Sequence, residues 1–204
     1  MVNRIVFKSV DECRPYMRSG DVLLTRGEGF ISGIIRAYTG HEETHAALLD
    51  TGAKWQRFDD PMPVKVHEVR EWVGAQSIDI AEAVAKAPGR IDFYRLDPHN
   101  RWGDQLERNA VVRKARSWTS RKMPYGYLTV ILAFFLHLPF VRFLTRRDTR
   151  DFREWAIFPD CSAFVSGCLQ YGGLDPVPNL SHRSVEPGHL GNSLALEYES
   201  TLVP

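Results

Sequence analysis

Between Lys122 and Arg142 the chain carries no formal charge apart from His137. Residues 125–144 are almost wholly apolar, and a segment of that kind has to be covered by lipid, by ligand or by the rest of the protein. At ~17–20 residues it sits at the lower limit for a membrane helix. Pro139 interrupts it, because proline removes a helical N–H and crowds the preceding turn. Arg142, Arg146, Arg147, Arg150 and Arg153 follow directly. The first reading is a helical hairpin packed on the core or in an oligomer interface. The second is contact with a membrane surface through 127–144, or a lid over an apolar acyl group.

The rest of the chain reads as one domain over 1–204, with 126–158 as an apolar and basic helical insertion. Apolar residues make up 44% and charged residues 25% of the 204, which excludes disordered, collagen-like and coiled-coil chains. Lys and Arg number 26 against 25 Asp and Glu, so no basic field points to nucleic acid. Three cysteines, Cys13, Cys161 and Cys168, are too few for a disulfide framework. The first residues hold no apolar run long enough for a signal peptide. The expectation is a cytoplasmic protein, or one delivered by a phage or a secretion system.

Turn and periodicity signals give a coarse map. Ser19-Gly20-Asp21 turns into a short strand over 22–24. Residues 30–38 have helical spacing, with Gly40 at the C-cap. Residues 44–50 read as a buried strand, which a turn at 51–54 folds back onto a partner over 55–59. Further strands are expected at 64–69 and 90–96. Helices are expected over 106–118 and 160–171, the latter ended by Gly172-Gly173. Short strands first and helices around them predict an α+β fold rather than regular βαβ units.

His41-Glu42-Glu43-Thr44-His45 matches the zinc-peptidase string. That string works on a helix, where both imidazoles share one face and the Glu acts as base. Here residues 38–40 read as a helix end and His45 opens a strand, so the alternative of a zinc metallopeptidase lacks its helix. No third ligand stands out, and no metal is expected.

A second constellation fits better. Cys161 falls in the first turn of the helix begun by Asp160, where free N–H groups and the helix dipole favour a thiolate. Cys168 falls deeper on nearly the same face and reads as a small buried hydrophobe, and Cys13 also as structural. His45 is the polar residue of an otherwise apolar strand, and a thiol nucleophile needs a base of that kind with an orienting acceptor. The expected hairpin would bring Asp59 or Asp60 opposite it.

The pieces Gly20-Asp21-Val22-Leu23-Leu24, Thr44-His45-Ala46-Ala47, Phe58-Asp59-Asp60, Met123-Pro124-Tyr125, Asp160-Cys161-Ser162 and Glu186-Pro187-Gly188 occur in an informative order. In that order the chain resembles the permuted papain-like hydrolases of the YiiX/YaeF type, relatives of the NlpC cell-wall peptidases and the lecithin-retinol acyltransferase-like enzymes. The resemblance runs from about residue 19 to 193. It implies a circularly permuted papain-like fold, with a small antiparallel sheet or barrel packed against helices. It also implies Cys161 as nucleophile, His45 as base, Asp59 as third residue with Asp60 as rival, and Tyr125 at the substrate. Asp59 stands where the family usually has Glu, and Ala163 and Gly126 replace a family Glu and Asp. The implied activity is that of a thiol hydrolase cleaving a cell-wall peptide or N-acyl amide through a thioester, with no cofactor. Acyl transfer or lipid binding at a membrane is the alternative.

Overall fold

The computed structural model describes residues 5–27, 32–33, 36–37, 40–52, 63–87, 89–96, 108–126 and 158–203. The apolar stretch 127–144, with its hairpin, lid and membrane readings, lies outside the described residues, as do Asp59 and Asp60. Among the described residues no helix is long and apolar enough to cross a membrane.

The described strands form one mixed sheet. They are β1 (Ile5–Phe7), β2 (Val22–Thr25), β3 (His45–Asp50), β4 (Lys65–Arg70), β5 (Gly74–Asp79), β6 (Ile91–Leu96) and β7 (Leu196–Leu202), in the order β1-β7-β6-β2-β3-β4-β5. Only the β1–β7 pair is parallel. The described helices are α1 (Val10–Cys13), α2 (Ile80–Ala85), α3 (Arg108–Ser120), α4 (Cys161–Tyr171) and α5 (Pro187–Gly191). The fold class is α+β, as expected.

The unbroken run Ala46-Ala47-Leu48-Leu49 is explained by burial on both faces. Ala46 and Leu48 join Val22, Leu24, Val69 and Ala75 against Val111 and Ala115 of α3 and Phe164, Val165 and Cys168 of α4. Ala47 and Leu49 join Leu23, Val66, Ile78 and Phe93 against Cys13 of α1 and Ile80, Ala83 and Val84 of α2. The period of two along a strand therefore sorts one sequence into two cores.

The strand that pairs with β3 on its far side is β4, in the register Ala47 to Glu68 and Leu48 to His67, with β2 on the other side. Both edges of β3 are taken, so residues 65–70 hold the position in which the sequence suggested 55–59. Gly20 enters β2 at φ +85°, a left-handed conformation that glycine adopts freely. Asp21 then accepts from Arg95 and Arg108, each at 3.2 Å. The Gly-Asp motif thus anchors the sheet.

A buried polar network holds α3 to the sheet. Arg116 donates to both oxygens of Asp50, at 2.7 and 2.9 Å. His67 Nε2 lies 3.1 Å from Asp50 Oδ2, and its Nδ1 lies 3.3 Å from the Thr119 hydroxyl. Burial works against the Asp50 carboxylate, but His67, Arg116 and the Gly52 amide outweigh it and hold its pKa well below the usual range. A depressed carboxylate stabilises the fold above its unfolded pKa and loses that contribution as the pH falls. Asp50→Ala should lower the unfolding free energy by about 3 kcal/mol at neutral pH. Urea melts should show this deficit narrowing as the pH falls below that of an ordinary aspartate.

Candidate active site

His45 is the first residue of β3, and Glu68 lies on β4 opposite Ala47. Side chains two apart share a face, so His45 and Glu68 form a diagonal cross-strand pair. The His45 Nε2 meets Glu68 Oε2 at 2.7 Å. Gln76 of β5, directly opposite Glu68 in register, donates from Nε2 to Glu68 Oε1 at 2.7 Å. Arg70 Nε lies 3.4 Å from the same oxygen. Glu68 is only 2% exposed, so these groups take the place of water around its carboxylate.

With Nε2 engaged by Glu68, the His45 ring also interacts with Cys161. Burial works to discharge the imidazolium, but the hydrogen bonds to Cys161 and Glu68, and the charges behind them, lift its pKa from 6.5 to about 10. Burial likewise opposes the Glu68 carboxylate, yet His45, Arg70 and Gln76 draw its pKa down from 4.5 to about 2. The site thus favours a charged imidazolium on a charged carboxylate.

Cys161 is the first residue of α4 and is 3% exposed. Asp160 is the N-cap, accepting from the Ala163 amide at 2.8 Å. The Ser162 hydroxyl is shared between Asp160 Oδ1 at 3.1 Å and the Val185 carbonyl at 2.6 Å. That ties the helix start to the closing segment of the chain. Cys161 Sγ also lies 4.0 Å from the Thr44 carbonyl. The helix packs against β3, β4, α3 and the 3-10 turn His182–Ser184, so the position of Cys161 is fixed from several sides.

Tyr125 is 6% exposed and packs in the core with Val69, Ala75 and Phe164. Its segment supports the site through backbone. The Gly126 amide donates to the Pro159 carbonyl at 3.1 Å, two residues before Cys161. A Cβ on residue 126 would stand 2.5 Å from the Phe158 carbonyl oxygen, which gives a steric reason for glycine at this position. At the other end, the Ala75 amide donates to the Met123 carbonyl at 2.7 Å. Residues 123–126 therefore bridge β5 and the start of α4.

The zinc string does not form its helix. Residues 41–44 run as a loop into β3. The His41 ring meets His189 edge-on, with centroids 6.0 Å apart, while His45 is engaged by Glu68. Burial pushes the Cys168 thiol far up and the Cys13 thiol up to about 11, which suits buried structural residues. Sequence reasoning placed Cys161 and His45 together but missed Glu68. The signal was an acidic residue inside the strand at 64–69.

No protein-family model matches the chain, and no curated protein matches it by sequence. Among solved structures, the crystal structure of the metalloprotein YiiX from Escherichia coli O157:H7 matches 92% of this chain and 98% of its own, with a TM-score of 0.60 and 14% identity. This likeness shows a YiiX-type fold, consistent with the permuted papain-like architecture. Among the described residues no group of three or more His, Cys, Asp and Glu side chains is arranged to hold a metal ion.

The His45–Glu68 pair has a definite pH signature. The raised histidine contributes fully below its unfolded value of 6.5 and loses that contribution as the pH rises towards about 10. The depressed glutamate contributes fully above 4.5 and loses that contribution as the pH falls towards about 2. The difference in melting temperature between the wild type and a His45→Gln/Glu68→Gln variant should therefore be greatest between those two unfolded values and shrink on both sides.

Proposed function

We propose that the protein is a thiol hydrolase that cleaves an amide bond, with Cys161 as nucleophile, His45 as acid and base, and Glu68 as the acceptor that orients His45. The observation that carries this reading is a histidine held by Glu68 at 2.7 Å on Nε2 and acting electrostatically on Cys161, whose sulfur stands 4.0 Å from the carbonyl of Thr44, the residue before that histidine. That is the relation a thiol nucleophile needs to its base, and a base to its orienter.

In the acylation step the Cys161 sulfur, its proton already held by His45, attacks the carbonyl carbon and the carbonyl electrons move to oxygen. The start of α4, including the Cys161 amide, faces the developing negative charge. The C–N bond then breaks, and His45 gives its proton to the departing nitrogen. An amine is a poor leaving group until protonated, so a histidine that retains its proton at neutral pH suits an amide. In the second step His45 takes a proton from water, and the hydroxide adds to the thioester. The C–S bond breaks, releasing a carboxylic acid and restoring the thiolate beside the protonated His45. Every step uses side chains of this chain and one water.

The resemblance to permuted papain-like hydrolases makes cell-wall peptide amides the first substrate class and N-acyl amides the second, an argument from analogy. A panel of peptide and N-acyl amides, with intact-mass detection of the acylated protein, tests this. Cys161→Ala should abolish both turnover and alkylation by iodoacetamide at neutral pH, whereas Cys168→Ala should leave both within about twofold of wild type. Turnover that survives Cys161→Ala would overturn the reading.

A further inference from the structure

We propose that Gln76 is a positioning residue of this site, fixing the Glu68 carboxylate so that Oε2 is held on His45. The inference rests on the thiol-hydrolase reading and deepens it. The torsion that turns a glutamate carboxyl about its own axis is broad and weakly two-fold. A single hydrogen bond to His45 leaves that rotation poorly defined. Gln76 engages the other oxygen at 2.7 Å from directly across the β4–β5 ladder. With both oxygens bonded from strands on opposite sides, the carboxylate has one orientation. Arg70, at 3.4 Å and on a partly exposed side chain, is a longer second contact to the same oxygen.

The residue type matters as much as the contact. A cation at 76 would neutralise Glu68 and weaken its hold on the imidazolium. A carboxylate there would share a proton with it. An amide donates without discharging its partner, and so fixes Glu68 without adding to the positive charge that Arg70 already sets against it. The charged groups acting on Glu68 are His45 from β3 and Arg70 from its own strand, and Cys161 from α4 and Glu71 from the turn after β4 act in turn on His45. Gln76 is the neutral member of the set.

The test is the pH dependence of Cys161 alkylation by iodoacetamide in the full chain. It compares wild type, Gln76→Val, Gln76→Glu, Glu68→Gln and the Gln76→Val/Glu68→Gln double variant, with melting temperatures recorded for each. Valine suits a strand position, and the glutamate variant keeps the shape of the side chain should valine disturb the fold. Removing the donor should move the acid limb of the profile up by about one pH unit in Gln76→Val, and further in Gln76→Glu, where two carboxyls face each other. In the Glu68→Gln background Gln76→Val should produce no further shift. The proposal is overturned if the acid limb stays in place in both Gln76 variants, even with a lowered melting temperature. It is equally overturned if the shift persists unchanged without Glu68. A Glu68→Gln variant with the wild-type profile would instead sink the underlying reading of the site, and the role of Gln76 with it.

Discussion

A carboxylate 2% exposed inside a sheet has to be matched by donors, and the His45–Glu68 hydrogen bond is where this molecule makes that match. Desolvating both groups is costly, and an apolar pair of the same size would often stabilise a fold as well or better. What the polar pair adds is chemistry. It keeps a proton on an imidazole that interacts with Cys161. The register of β3 on β4 sets the diagonal between His45 and Glu68, and the packing of α4 sets where the sulfur meets the ring. A slip of one residue in that register would turn Glu68 to the opposite face and break the relation.

The same two strands carry a second histidine–carboxylate pair with the roles exchanged. Consecutive residues His67 and Glu68 of β4 face opposite sides of the sheet. Glu68 meets His45 at the start of β3, and His67 meets Asp50 at its end. The Asp50 pair is completed by Arg116 and the Thr119 hydroxyl of α3, which fastens a helix. The Glu68 pair is completed by Gln76, and its histidine interacts with Cys161 at a helix start. Similar residue types thus serve anchoring on one face and, in the proposed reading, catalysis on the other. The difference lies in which group approaches the free side of the imidazole.

Much of this was legible in the sequence. The capped start of α4 at Asp160-Cys161 and the polar histidine opening an apolar strand both came from local rules, and both stand in the fold as read. Glu68 was not found, because the strand after β3 was sought just past the turn at 51–54. The strand that pairs with β3 begins at Lys65, and nothing local to residues 45–50 encodes the length of that connection. The alternation at 64–69 gave the strand itself, but pairing is a tertiary fact. Strands β1, β5 and β7 were also missed. The segment 74–79, Gly-Ala-Gln-Ser-Ile-Asp, has few apolar side chains and owes its strand to β4 and to the Met123 carbonyl. Chain order was informative as well: the succession of short motifs from Gly20-Asp21 to Asp160-Cys161 carried the resemblance, and the YiiX-type fold agrees with it.

The chemistry of the site turns on the charge state of one ring. Following the His45 ring resonances by NMR across pH, in wild type and in Glu68→Gln, tests it most directly. The structure predicts a titration near pH 10 in the wild type, falling by about two units or more once the carboxylate is gone. A His45 that titrates near 6.5, the ordinary value for histidine, in both proteins would contradict it.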